Sequence, residues 1–263
     1  MNWFQVKAYI KYIFKARYRR GHRIHPPFAF DLVRHLFYEK HSYYHFEVIN
    51  EIREELAHDH TLVKVTDLGA GSKKFLHNDR KVKDILKYNA TPKRQGELIS
   101  RLVAMFKPQN IIELGTSLGV GTLYLAMPDS ASKVFTIEGC PNISVLAGEL
   151  FKKAGAHNIT PISGSFNDEL PIVLRQCQSV DMVYFDGHHD YQATLDYFSL
   201  CLEKASKSAI FIFDDIYWSR DMAQAWKEVV AHPQVSISFD LFRFGITILN
   251  KEVKKQHYMV RWP

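Results

Sequence analysis

The residues of this chain best suited to chemistry fall in two short stretches. Met182-Val183-Tyr184-Phe185 is an apolar, aromatic run that ends on Asp186, and Gly187-His188-His189 follows directly. Ile210-Phe211-Ile212-Phe213 is a second such run, ending on Asp214-Asp215. A neutral imidazole, with an unperturbed pKa of about 6.5, can act as a general base near neutral pH. Either histidine could instead stack on a bound ring or sit at the rim of a pocket. Three carboxylates in one place are costly to bury unless a cation compensates them. Hard oxygen ligands with room for water suit Mg²⁺, with Mn²⁺ or Ca²⁺ as substitutes. The alternative is that Asp186 caps the next helix and only one aspartate of the pair points inward.

A second candidate lies upstream. Asn110-Ile111-Ile112 leads through Glu113 and Leu114 into Gly115, Thr116, Ser117, Leu118 and Gly119, and Thr122-Leu123-Tyr124-Leu125-Ala126 continues as a helical run. A strand that turns through glycines into a helix is expected to leave bare backbone N–H groups where a ligand can approach. The spacing Gly-x-x-x-Gly departs from the dinucleotide fingerprint, which would need glycine at Ser117 and Val120. Lys133-Val134-Phe135-Thr136-Ile137 ends on Glu138. An acid about 20 residues beyond a glycine turn is placed to accept hydrogen bonds from ribose hydroxyls. On its own Glu138 suits an adenosyl or a nicotinamide cofactor equally.

These residues need strands to hold them. Apolar, β-branched runs predict strands near 110–113, 133–138, 158–162, 180–185 and 208–213, alternating with helices near 119–127, 142–154, 168–176, 190–204 and 220–231. Such alternation predicts a parallel sheet covered on both faces. Two last strands, near 235–239 and 244–249, are too close in sequence for a helical crossover and should form an antiparallel hairpin at the sheet edge. The fold class is therefore α/β: a doubly wound, mostly parallel seven-stranded sheet with an antiparallel C-terminal hairpin. Ligands of open α/β sheets bind outside the carboxyl ends of the strands, so Asp186, Asp214 and Asp215 are expected in one crevice.

Residues 1–88 read differently, as helices and a basic loop forming an N-terminal cap, with 89–263 as the cofactor-binding domain. Trp3, Val6, Ile10 and Ile13 recur at helical spacing with Lys7, Lys11 and Lys15 between them. That apolar stripe is expected to pack on the core. Helices are also expected through Phe28–Val33 and from Tyr44 to about Leu56. Thr91-Pro92 reads as an N-cap with proline at the first helical position. Lys15, Arg17, Arg19, Arg20 and Arg23 form a basic stretch with Tyr18 and His22 interleaved. It is taken as a solvated helix face; contact with RNA phosphates or an anionic membrane is the functional alternative. Asp67-Leu68-Gly69-Ala70-Gly71-Ser72 resembles a glycine motif locally, but no periodic helix and no acid-ended strand follow it, so a loop is expected. His41 and His45 have helical spacing without an evident third ligand, so zinc is not expected there.

Glu113-x-Gly115-x-x-x-Gly119 resembles the first motif of class I S-adenosylmethionine-dependent methyltransferases. From about Asn89 to Asn250 the chain resembles their cation-dependent O-methyltransferase family, the catechol and caffeoyl-CoA type, and its bacterial Asp-Gly-x-His relatives. The resemblance implies that Thr91, in Asn89-Ala90-Thr91-Pro92, lies in the entry segment over the cofactor. It implies that Glu113, Gly115, Ser117, Gly119 and Glu138 hold S-adenosylmethionine, and that Gly164, Ser165 and Phe166 form the adenine-side loop. Asp186 and His188 join the cofactor set, Asp186, Asp214 and Asp215 fall on the metal ligands, and Gly245-Ile246-Thr247 on the last strand. The chain departs from the family twice. Asp215 replaces the usual asparagine ligand, and His189 stands where the family has its catalytic lysine. His189 is then the base, with Asp186 also in the catalytic set, for methyl transfer to a hydroxyl oxygen.

Other acceptors lack their motifs. Amino-methylases need Asn/Asp-Pro-Pro-Tyr/Phe where this chain has Asp186-Gly187-His188-His189, and Cys140-Pro141 reverses the order of the cytosine-C5 nucleophile. An NAD-dependent oxidoreductase, or an RNA- or membrane-binding protein with a degenerate core, are the rival classes. With 263 residues, a net charge of +6 and no uninterrupted apolar stretch of membrane length, the composition is that of a soluble protein. Three cysteines without metal-like spacing and no signal-peptide pattern predict a reduced, cytoplasmic setting. A small-molecule methyl acceptor is the expected partner, with at most a second copy of the chain beside it; nucleic acid is not expected.

Overall fold

The computed structural model describes residues 2–39, 41–66 and 78–262. In chain order the first elements are α1 (Trp3–Lys15), α2 (Pro27–Asp31, continued by a π-helical turn over Leu32–Phe37), α3 (Tyr44–His58), β1 (Leu62–Lys64), β2 (Asp79–Lys81) and α4 (Val82–Asn89). Then come α5 (Lys93–Phe106), β3 (Asn110–Leu114), α6 (Val120–Ala126), β4 (Lys133–Glu138), α7 (Pro141–Lys153), β5 (Ile159–Ser163) and α8 (Phe166–Gln176). The last are β6 (Val180–Phe185), α9 (Tyr191–Glu203), β7 (Ala205–Asp214), α10 (Arg220–Ala231), β8 (Val235–Asp240), β9 (Phe244–Leu249) and β10 (Gln256–Met259). The architecture is the expected mixed α/β one, with mostly parallel strands, flanking helices and antiparallel strands near the C-terminus.

The chain forms two units, 1–40 with 179–263, and 41–178. The change of pattern at residue 88 does not coincide with this division, because α3 and α4 belong to the 41–178 unit. In that unit β3, β4 and β5 pair in parallel order, with Leu114 opposite Ile137 and Glu138 opposite Ser163. The short antiparallel pair β1–β2, Val63 opposite Arg80, was not expected from the sequence, nor was α4. Three-residue strands carry too little periodicity to be read. Helix α5 has Pro92 as N-cap rather than Thr91, one position later than expected.

In the other unit β6 and β7 are parallel, β7–β9 and β9–β8 antiparallel, and β10 lies parallel to β8. The expected hairpin forms, but β10 covers its outer strand, so β8–β9 is not the edge. Strands β8 and β9 are buried throughout, as is β7 from Ala209 to Asp214, which explains the unbroken apolar run Ala209–Phe213 of β7. Helix α9 is capped by Asp190, whose side chain accepts from Ala193 N–H, which frees Asp186 from the capping role.

Helix α1 turns a different face inward from the one expected. Tyr12 and Ala16 pack with Phe242, joined by Ala8, Ile13, Tyr217 and Met259. Trp3 and Ile10 are 72% and 51% exposed. The Tyr12 hydroxyl bonds to the Val260 carbonyl, and the Trp262 indole N–H donates to the Phe37 carbonyl at 3.0 Å, so the C-terminal segment is held by the N-terminal helices. A polar-tipped tyrosine can face inward when its hydroxyl finds a carbonyl, and hydrophobic periodicity does not register that.

Candidate active site

In the 41–178 unit the chain leaves β3 at Leu114 and turns through Gly115 (φ 110°), Ser117 (φ 48°) and Gly119 (φ 83°) into α6. These are left-handed conformations that glycine adopts freely and serine rarely does. Ser117 is held there by Glu138: its N–H donates to Glu138 Oε2 at 2.8 Å, while Glu138 Oε1 accepts from Cys140 N–H at 2.9 Å. The bare N–H groups expected at the glycines are not found. Gly115 and Thr116 N–H donate to the Ile137 carbonyl at 3.0 and 3.3 Å, and Gly119 N–H to Thr116 at 2.8 Å. What Gly119 supplies is space, since an added Cβ would lie 2.5 Å from the Phe151 ring.

Glu113 is fully buried behind this turn. Its Oε2 accepts from the hydroxyls of Thr122 and Thr136, and Thr136 also bonds Thr116. Burial pushes its carboxyl up to about 8, against the two threonine hydroxyls and with a small push from Glu138, so it holds its proton at neutral pH. Glu113 Oε1 and Ser117 Oγ are buried without a hydrogen-bond partner among the described residues. Unsatisfied buried polar atoms are uncommon in folded proteins and point to a missing ligand or water.

The other expected cofactor residues lie in the same unit. Gly164 N–H donates to the Glu138 carbonyl at 3.0 Å, which joins the loop after β5 to the acid. Ser165 caps α8, accepting from Asp168 N–H and donating to Asp168 Oδ2 at 2.6 Å, and Phe166 opens that helix half-buried. Thr91 is buried, and its carbonyl accepts from Arg53 Nη1 at 2.9 Å. The Asp67–Ser72 glycine loop lies outside the described residues.

The second group belongs to the unit of residues 1–40 and 179–263. Phe185 of β6 pairs with Phe213 of β7, so the following Asp186 and Asp214 come side by side and hydrogen-bond. Burial, reinforced by the charge of Asp215, pushes the Asp214 carboxyl up to about 7, so Asp214 keeps its proton until close to neutral pH. The expected convergence of three carboxylates is not found. Among the described residues no group of three or more His, Cys, Asp or Glu side chains is placed to hold a metal ion. The strand ends at Asp214 and the backbone turns left-handed at Asp215 (φ 47°), whose N–H donates back to Asp214 Oδ1 at 2.8 Å.

His188 also has a left-handed backbone (φ 52°), and its ring meets the edge of Tyr197 at 6.2 Å. Desolvation holds the half-buried His189 below the usual imidazole range, with Asp215 pulling the other way and His188 adding a smaller depression. Trp218, which sequence reasoning missed, lies 6.5 Å from the His189 ring; its N–H donates to the Asp215 carbonyl, and its own carbonyl accepts from Gln5 of α1. Its position four residues after Asp214 was the only signal.

Residues 112–216 match a family model described as a methyltransferase domain. The O-methyltransferase from Bacillus cereus, solved with SAH, superimposes with a TM-score of 0.57 at 17% identity over 81% of this chain and 94% of that one. This is a class I methyltransferase fold. TomG, an O-methyltransferase from Streptomyces achromogenes solved with SAM, gives a TM-score of 0.54 at 20% identity, covering 62% of this chain and 82% of its own. The human transmembrane O-methyltransferase is 32% identical over 87 residues, 32% of this chain and 30% of that protein, so the match spans under a third of the curated relative. No helix among the described residues is long and apolar enough to cross a membrane.

Proposed function

We propose that the chain is an S-adenosylmethionine-dependent O-methyltransferase acting on a hydroxyl of a small molecule, with 89–263 as the catalytic domain and 1–88 as its cap. The observation that carries this is the turn after β3: positive-φ backbone tied to Glu138, with Ser117 Oγ and Glu113 Oε1 buried and unpartnered among the described residues. Those two atoms and the Glu138 carboxylate would take the polar groups of the cofactor. Thr91, Gly115, Gly119, Gly164, Ser165, Phe166, Asp186 and His188 complete the proposed set. The antiparallel β7–β9–β8 arrangement favours a methyl donor over NAD.

His189 is the proposed base. With its pKa depressed it is neutral at pH 7 and can take the proton of the acceptor hydroxyl, while S-adenosylmethionine, when bound, would supply the methyl group and leave as S-adenosylhomocysteine. Asp186, hydrogen-bonded to Asp214, would orient the acceptor hydroxyl. Divalent-metal assistance is the finer part of the proposal. Mg²⁺ held by Asp186, Asp214 and Asp215 would lower the hydroxyl pKa. Its support is the pairing of half-buried Asp186 with buried Asp214, whose charge a cation would offset. The ligands as arranged fit it only in part, and the proton transfer to His189 does not depend on it. The buried free thiols of Cys140, Cys177 and Cys201 favour a reducing, cytoplasmic setting. Calorimetric titration with S-adenosylmethionine, S-adenosylhomocysteine and NAD is the test; binding of NAD alone would refute the proposal.

A further inference from the structure

Helix α1 has two apolar faces, and among the described residues only one of them is packed. Counting about 100° per residue, Trp3, Ile10 and Phe14 lie within about 40° of one another and opposite Tyr12, which packs inward. Trp3 is 72%, Ile10 51% and Phe14 76% exposed. Lys7 and Lys11 flank this stripe on the exposed surface, and the Lys7 ammonium sits 5.1 Å over the Trp3 ring. Further cations follow at Lys15, Arg17, Arg20 and Arg23, all exposed. No aspartate or glutamate precedes Asp31.

We propose that this outward face of α1 docks on an anionic lipid surface, with Trp3, Ile10 and Phe14 entering the headgroup–acyl boundary and the lysines and arginines meeting lipid phosphates. Large apolar side chains flanked by cations on one helix are the composition of an in-plane interfacial helix. Charge decides among the occupants. A second copy of α1 would set an all-cationic segment against another, which is repulsive. RNA would satisfy the cations but gives Ile10 nothing to stack on, whereas a bilayer uses both. The inner face stays packed through Tyr12 and Ala16, so docking requires no unfolding. The surface is independent of the proposed catalytic reading.

The test is flotation of the full chain with vesicles of phosphatidylcholine alone and of phosphatidylcholine with phosphatidylserine. Binding is expected only to the anionic vesicles, weakening as salt is raised. Lys7→Gln with Lys11→Gln should lower the partition coefficient about 30-fold, from about 1 kcal/mol for each cation near a charged surface. Trp3→Ser with Phe14→Ser should lower it at least about tenfold, since each loses a large buried apolar area. Both pairs are exposed, so thermal melting should be unchanged, which separates lost docking from lost fold. No binding to anionic vesicles, equal binding to neutral ones, or undiminished binding by the Trp3/Phe14 variant would overturn the proposal. So would preference for a structured RNA over vesicles in the same buffer, or a concentration-dependent dimer abolished by that variant.

Discussion

Ser117 N–H lies 2.8 Å from Glu138 Oε2, so the acid that ends β4 closes the turn that follows β3. The second Glu138 oxygen takes Cys140 N–H, which fixes the start of α7. One carboxylate thus sets the conformation of the turn and the entry to the next helix. The proposed binding of the cofactor and the local order of the turn would then run through a single side chain.

That coupling gives the first prediction. Glu138→Ala should weaken S-adenosylhomocysteine binding by about 1.5–3 kcal/mol, the range for hydrogen bonds to a charged group. It should also speed amide exchange at Ser117 and Cys140 in the ligand-free protein. Weaker binding with unchanged exchange would mean that Glu138 acts on the ligand alone.

The strand–helix alternation was legible because its strands are long, apolar and bounded by glycine or charge. The same is true of the chemistry-bearing residues, which sit at strand ends where a run such as Met182–Phe185 stops on an acid. What the sequence hid was what each of them touches. Glu138 and Glu113 are both glutamates beside a glycine turn, yet one accepts backbone N–H groups and the other two threonine hydroxyls from different elements. Likewise Trp3, Ile10 and Tyr12 are alike in hydrophobic patterning, and the wrong face of α1 was expected inside. Tyr12 faces inward because a carbonyl of the C-terminal segment, distant in sequence, meets its hydroxyl.

Glu113 predicts a pH dependence of stability. Its carboxyl is raised from 4.5 to about 8, so the folded state keeps a proton that the unfolded chain releases. The contribution is therefore full below pH 4.5 and is lost as pH rises toward 8. Glu113→Gln, which stays neutral, should flatten this slope. Between pH 5 and 8 the wild type should lose on the order of 2–4 kcal/mol relative to the variant. Parallel melting curves across that range would show that Glu113 is ionised in the fold.

Gly119 separates packing from binding. Its φ of 83° strains any other residue, and an added Cβ would meet the Phe151 ring at 2.5 Å. Gly119→Ala should destabilise the protein by about 1–3 kcal/mol, read from chemical denaturation. Adding Phe151→Leu should recover the packing part and leave the backbone part. If the double variant is no more stable than the single one, the ring is not the obstacle.

His189 and the Asp186–Asp214 pair predict separable effects on turnover. Because desolvation lowers the imidazole pKa, the rate should rise with pH through a value below 6.5 and be level by neutrality. His189→Ala should abolish that limb and lower kcat by about 10²–10⁴-fold, the usual worth of a general base. Asp214→Asn removes the carboxyl that burial raises to about 7, so any inflection near that pH should vanish while the His189 limb remains. If a divalent ion assists, titration of the wild type with Mg²⁺ should show binding that Asp186→Asn and Asp214→Asn each abolish, and chelation should lower the rate without moving the His189 limb. Full activity in excess chelator, together with no Mg²⁺ binding, would leave the pair as a proton-sharing couple that orients the acceptor. An unchanged rate in His189→Ala would remove the base assignment whatever the metal does.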